Sequence, residues 1–192
     1  MLLATVQPAH AEQSACEGTR MVILGDSLVA GYGLPPGAGY PEQLAASLKE
    51  LGYGVEIVNA GVSGDTSSGG LARLDWSLGD TTDMVMVELG ANDALRGIPV
   101  EQTRTNLEKI VTSLKEKDIA VLLAGMMAPP NMGETYADEF NAIYGDLARD
   151  HDVALYPFFL DGVAAERDLN LDDGIHPNRE GISIIVERSL AT

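Results

Sequence analysis

The stretch MVILGDSLVAGYG, residues 21–33, starts with four apolar residues and stops them on Gly25-Asp26-Ser27. A short apolar run closed by glycine reads as a buried strand. The hydroxyl that follows is either a helix cap or a nucleophile, and the rest of the chain has to distinguish them.

Outward from this stretch, short apolar runs alternate with helical patterns. Tyr40 to Leu51 puts Leu44, Leu48 and Leu51 on one stripe, with Pro41 suited to a first turn. Val55 to Val58 reads as a second strand, and the polar, glycine-rich stretch Gly61 to Gly70 as a loop leading to a helix over Leu71 to Leu78. Met84 to Leu89 is a third strand, Val100 to Lys117 a helix, and Ile119 to Gly125 a fourth strand. A helix marked by Tyr136, Phe140, Ile143, Tyr144 and Leu147 precedes a short strand, Val153 to Tyr156, and Gly181 to Leu190 forms the last helix. Strands separated by helices imply βαβ units and a parallel sheet covered on both faces. In such sheets the ligand crevice lies beyond the carboxyl ends of the strands. That rule selects Gly25-Asp26-Ser27, Asn59-Ala60-Gly61, Gly90 to Asp93 and Gly125 to Tyr136.

At 192 residues, 45% of them hydrophobic, the chain fits a single core. Twenty-nine acidic against 12 basic residues give a formal charge of −17. This field, with no basic cluster, argues against nucleic acid and anionic membranes as partners and favours neutral, apolar or cationic small molecules. No segment reaches the roughly 18 apolar residues of a membrane helix, so stable membrane insertion is not expected. Ala9-His10-Ala11 has the small-x-small form of a signal-peptidase site after a short apolar stretch, which makes residues 1–19 a signal-peptide remnant and residues 20–192 the folded domain, periplasmic or secreted. The one cysteine, Cys16, falls in this leader and precludes an internal disulfide. Neither cysteine nor histidines have metal-ligand spacing, and no lysine stands in Gly61 to Gly70 as a phosphate loop requires, so no cofactor is expected.

A serine needs a base to act as a nucleophile. Of three histidines, His10 lies in the leader and His151 in Asp150-His151-Asp152 reads as a solvated loop residue. His176, in Asp173-Gly174-Ile175-His176-Pro177-Asn178, has a carboxylate three residues before it, and Asn178 suits the cap of the last helix. Asp173 either orients the imidazole or merely shapes the turn. Gly61 offers an unobstructed N–H or fills a turn, and Asn92 offers a side-chain amide or caps a helix. Each plain reading is adequate singly, but their convergence on one sheet edge favours chemistry.

Four blocks then resemble the SGNH hydrolases, or GDSL esterases: Gly25-Asp26-Ser27-Leu28; Asn59-Ala60-Gly61 continuing to Thr66; Glu88-Leu89-Gly90-Ala91-Asn92-Asp93; and Asp173-Gly174-Ile175-His176-Pro177-Asn178. They fall in family order across residues 20–190, with Ala91 departing from the glycine common in close relatives. The resemblance implies a three-layer α/β/α, flavodoxin-like fold with a five-stranded parallel sheet. It also implies Ser27 as nucleophile, His176 as base, Asp173 as its orienting acid, and an oxyanion hole from the Ser27 and Gly61 N–H groups and Asn92. Asp26 receives a structural role. Asp93, Leu95, Arg96 and Ile98 resemble the family's mobile loop beside the acyl site. Met127 and Pro129, with Met126, Pro130 and Met132, form an adaptable apolar wall or fill core at a strand end. The implied activity is hydrolysis of short- to medium-chain acyl or aryl esters, thioesters or lysophospholipids. A carbohydrate or peptidoglycan O-acetylesterase would use the same residues but wants an aromatic cleft, and only 5% of residues are aromatic. A binding protein on the same fold is the non-enzymatic alternative.

Overall fold

The structure is a computed structural model that describes residues 18–191, so the leader, with Cys16 and His10, lies outside the described residues. Among those residues five strands form one parallel sheet: β1 (Arg20–Gly25), β2 (Glu56–Gly61), β3 (Met84–Glu88), β4 (Ala120–Ala124) and β5 (Ala154–Tyr156). Their order, β2-β1-β3-β4-β5, is the flavodoxin-like doubly wound order. Val22, Ile23 and Leu24 on β1 and Val85, Met86 and Val87 on β3 are fully buried. These unbroken apolar runs exist because central parallel strands have no solvated face.

The helices are α1 (Ser27–Ala30), α2 (Tyr40–Glu50), α3 (Ser67–Ala72), α4 (Leu74–Leu78), α5 (Ala91–Leu95), α6 (Val100–Glu116), α7 (Glu134–His151) and α8 (Arg179–Ser189). The chain steps from β1 outward to β2, then back across β1 to β3, β4 and β5. Right-handed crossovers in opposite directions place their helices on opposite faces. Accordingly α2 packs with α8, whereas α3, α6 and α7 pack in a row. Tyr40 ties the first pair, its hydroxyl donating to Ser189 Oγ at 3.0 Å while its ring meets Phe159 edge-on at 4.9 Å.

Two local readings differ from the sequence expectation. The glycine-rich stretch is not all loop, because α3 begins at Ser67, with Thr66 Oγ1 capping the Gly69 N–H at 3.3 Å. Helical glycines are unfavourable by themselves, and the turn is held from outside: Asp93 accepts the Ser67 N–H at 2.8 Å and its hydroxyl at 2.5 Å. His151 is not a loop residue but the last residue of α7, which ends on Asp152 in the left-handed conformation. Its Nε2 lies 3.6 Å from Glu108, and its carbonyl accepts from Lys115.

Ile23 has no solvent exposure and lies on β1, which is bonded on both sides. Ile23→Ala is expected to cost about 3 kcal/mol, as core truncations do. Chemical denaturation measures this, and a loss under 1 kcal/mol would mean that the sheet is not the rigid centre of the fold.

Candidate active site

The register of β1 with its neighbours brings three segments to one level: Gly25 pairs with Gly61 on β2 and with Glu88 on β3. The chain therefore leaves the sheet side by side at Asp26-Ser27, Val62 and Leu89 to Asn92. Gly61 has to be glycine, since a Cβ there would lie 2.3 Å from the Ala30 amide nitrogen. Arg73 fastens the same edge, donating to the carbonyls of Ala60 (2.8 Å) and Gly25 (2.9 Å) while its Nε pairs with Asp65 at 2.6 Å.

Ser27 is the first residue of α1. Asp26 caps the helix by accepting the Leu28 N–H at 3.0 Å, and the Ser27 N–H is one of the amides that a helix start leaves unpaired. The Ser27 hydroxyl lies 2.9 Å from His176 Nε2, and His176 Nδ1 lies 2.7 Å from Asp173 Oδ2. Both turns of the final loop serve that contact. Asp173 Oδ1 accepts the Ile175 and His176 N–H groups at 2.9 and 3.0 Å, while the His176 carbonyl accepts the Leu171 N–H at 2.7 Å. Asn178 caps α8 as expected, accepting from Glu180 and Gly181 at 3.0 Å each. The two backbone N–H groups and then the imidazole hold the Asp173 carboxyl down at about 2, so it stays anionic beside His176 at neutral pH.

Asn92, at the start of α5, donates to Asp26 Oδ2 at 2.9 Å. A carboxamide nitrogen has two hydrogens, so the second is free for a ligand. The Gly61 N–H donates to Asn59 Oδ1 at 2.9 Å, so a substrate oxygen at Gly61 has to share that amide or displace Asn59.

Sequence reasoning gave Glu88 no role. It is completely buried, its Oε2 accepts the Asp26 N–H at 3.2 Å, and its Oε1 has no partner among the described residues. Burial first, then the adjacent Asp26 carboxylate, pushes the Glu88 carboxyl well above its ordinary range. Burial also raises Asp26, but the Leu28 and Asn92 hydrogen bonds oppose it. Of the two, Glu88 is the carboxyl pushed further above its ordinary range, so burial favours its neutral form more strongly than that of Asp26. Composition offered one signal for this: an acid at the end of an otherwise apolar strand.

The remaining cleft candidates separate. Asp93 is a correction: it is fully buried, and Ser67 and Thr103 occupy its carboxylate, so it braces α3, α5 and α6 from inside. Leu95 and Met127 are exposed apolar side chains, and Arg96 reaches across to the Gly64 carbonyl at 2.7 Å. Ile98 accepts the Tyr136 hydroxyl at 2.8 Å, joining its loop to the segment that contains Pro129. A small crevice beside the serine is lined by Ser27, Leu28, Gly31, Tyr32, Leu34, His176, Pro177 and Ile182. A wider depression around Gln43, Arg179 and Ser183 excludes both Ser27 and His176.

A Ser–His–Asp hydrogen-bonded chain on the carboxyl edge of a doubly wound parallel sheet is the arrangement of a serine hydrolase of the α/β class. Residues 23–183 match the GDSL-like lipase/acylhydrolase family, and the chain belongs to that family. It is 41% identical to "Arylesterase" of Vibrio mimicus over 169 residues, 88% of this chain and 84% of that protein. It is 40% identical to "Thioesterase 1/protease 1/lysophospholipase L1" of Escherichia coli K12 over 174 residues, 90% of this chain and 82% of that one. The crystal structure of TesA matches the fold with a TM-score of 0.86 at 37% identity, covering 90% of this chain and 97% of the other.

A carboxyl kept neutral by burial binds its proton more tightly folded than unfolded, so stability falls as pH rises above the ordinary range near 4. Glu88→Gln, neutral at every pH, should melt above the parent at pH 8, with the advantage shrinking toward pH 4. Thermal melts at both pH values check this, and an equal difference at the two would mean that Glu88 is ionised in the folded chain.

Proposed function

We propose that the protein is a serine esterase that hydrolyses short- to medium-chain acyl or aryl esters through an acyl-enzyme on Ser27. The observation that carries this reading is the unbroken contact from Ser27 Oγ to His176 Nε2 to Asp173. Ser27 attacks the ester carbonyl as His176 takes its proton, and His176 returns that proton to the departing oxygen. Water activated by the same imidazole then releases the acid. Asp173 fixes the tautomer and stabilises the imidazolium. The Ser27 and Gly61 N–H groups and the Asn92 amide receive the oxyanion, with the Asp26 bond aiming the amide.

Names of the relatives support arylester and acyl-thioester substrates, the latter with lysophospholipids for the E. coli protein. Leu95, Arg96, Ile98, Met127 and Pro129 serve as the acyl-side wall in this reading. The leader over residues 1–19 directs the domain of residues 20–192 to the periplasm or outside the cell. Among the described residues no helix is long and apolar enough to cross a membrane.

Hydrolysis of p-nitrophenyl esters from acetate to dodecanoate, with Ser27→Ala as control, tests the reading. Turnover should vanish in the variant and peak at one chain length; turnover that survives Ser27→Ala would overturn it. Asn92→Ala should lower kcat about 10²–10³-fold with little change in KM, the usual effect of one lost oxyanion donor. An unchanged kcat would remove Asn92 from the hole.

A further inference from the structure

Tyr32 has no part in the chemistry above, yet it is built into the site. It follows Gly31, the left-handed cap of α1, and its N–H donates to the Ser27 carbonyl at 3.1 Å, so its backbone is fixed to the nucleophile's helix. Its ring centroid lies 4.6 Å from that of His176, with the planes inclined by 38°. Gly33, at φ +72°, lies where a Cβ would stand 2.6 Å from Leu171 Cδ1, and Leu171 is the residue whose N–H holds the His176 carbonyl. The segment after Ser27 is thus packed on the loop that carries His176. Despite this Tyr32 remains 53% exposed.

The position of His176 Nε2 gives that exposed ring a use. When the tetrahedral adduct collapses, the bond from carbon to the ester oxygen breaks and its electron pair leaves on that oxygen. The same oxygen takes the proton from Nε2, so it has to sit within about 3 Å of it. The group attached to the departing oxygen then projects past the imidazole edge, into the crevice that the half-exposed Tyr32 lines together with Ser27 and His176. The acyl chain, joined to the carbonyl carbon, diverges from this side.

We propose that Tyr32 is the specificity-determining residue of the leaving-group side, and that its exposed ring receives the planar or apolar alcohol portion of the ester, with aryl groups favoured. Aromatic pairs at centroid separations of about 4.5–7 Å favour offset or tilted geometry over a parallel sandwich. A half-exposed ring already inclined against His176 can present such a surface without rearrangement. Tyrosine is suited here because its polar end can stay in water while its face is covered.

The inference rests on the acyl-transfer reading and is tested so that the two can fail separately. Phenyl acetate and 2,2,2-trifluoroethyl acetate deliver the same acetyl group, so they differ only in what departs. Tyr32→Ala should lower the ratio of their kcat/KM values about five-fold, the factor that one offset aromatic pair supplies. Tyr32→Phe, which keeps the ring, should retain the parental ratio. An unchanged ratio in Tyr32→Ala overturns the proposal, whether both rates fall together or neither moves, since a ring that only supports His176 affects both esters alike. Intact-mass analysis of the parent after a serine-directed phosphonate is run beside it. Labelled Ser27 with an unchanged ratio removes the role of Tyr32 alone, whereas unlabelled Ser27 removes acyl transfer and this proposal with it.

Discussion

One buried carboxylate joins the two walls of the cleft. Asp26 accepts the Leu28 N–H with one oxygen and the Asn92 amide with the other, across 66 residues of sequence. The first bond shapes the start of the helix that carries Ser27, and the second points the Asn92 side chain. Both depend on sheet register, because Gly25 stands between Gly61 and Glu88 and the three chains leave the sheet together. A one-residue slip of β3 against β1 would turn its side chains to the other face and carry Asn92 away from Asp26.

The same edge concentrates acids that have to be kept apart in charge. Asp173 is partly exposed and held anionic by two backbone amides and the imidazole. Glu88 is fully buried against the Asp26 N–H, no cation pairs with it among the described residues, and burial pushes its carboxyl well above the ordinary range. At Asp26 the helix start and the carboxamide each donate to one oxygen, and both bonds favour its ionised form against the burial that raises it. A second charge at Glu88 would be unpaired in a low-dielectric interior, which is far costlier than protonation.

Much of this fold was legible because its grammar is local. The runs at residues 21–24 and 84–89 are apolar throughout, as buried parallel strands require, and glycine or polar residues punctuate them. Asp173, His176 and Asn178 lie within six residues, so their turn and cap could be read from chemistry alone. What the sequence hid is what packing decides. Helix α3 runs through Gly69 and Gly70, against propensity, because Asp93 grips Ser67 from another segment. For the same reason Asp93, beside Asn92 in sequence, turns into the interior and not toward a ligand. The 149-residue separation of Ser27 and His176 leaves no trace in spacing, and the bond of Gly61 to Asn59 appears only in three dimensions. Arg73, Glu88 and Tyr32 had no role that their place in the sequence could supply, and gain meaning only from the residues around them.

The proposed chemistry requires that Ser27 form the covalent intermediate with His176 as its base. The most direct measurement is rapid-quench mass spectrometry with p-nitrophenyl acetate. A mass gain of one acetyl group is expected, assigned by peptide mapping to Ser27. The adduct should be absent in Ser27→Ala and form far more slowly in His176→Ala. Acetyl transfer to another residue, or undiminished Ser27 acylation without His176, would contradict it.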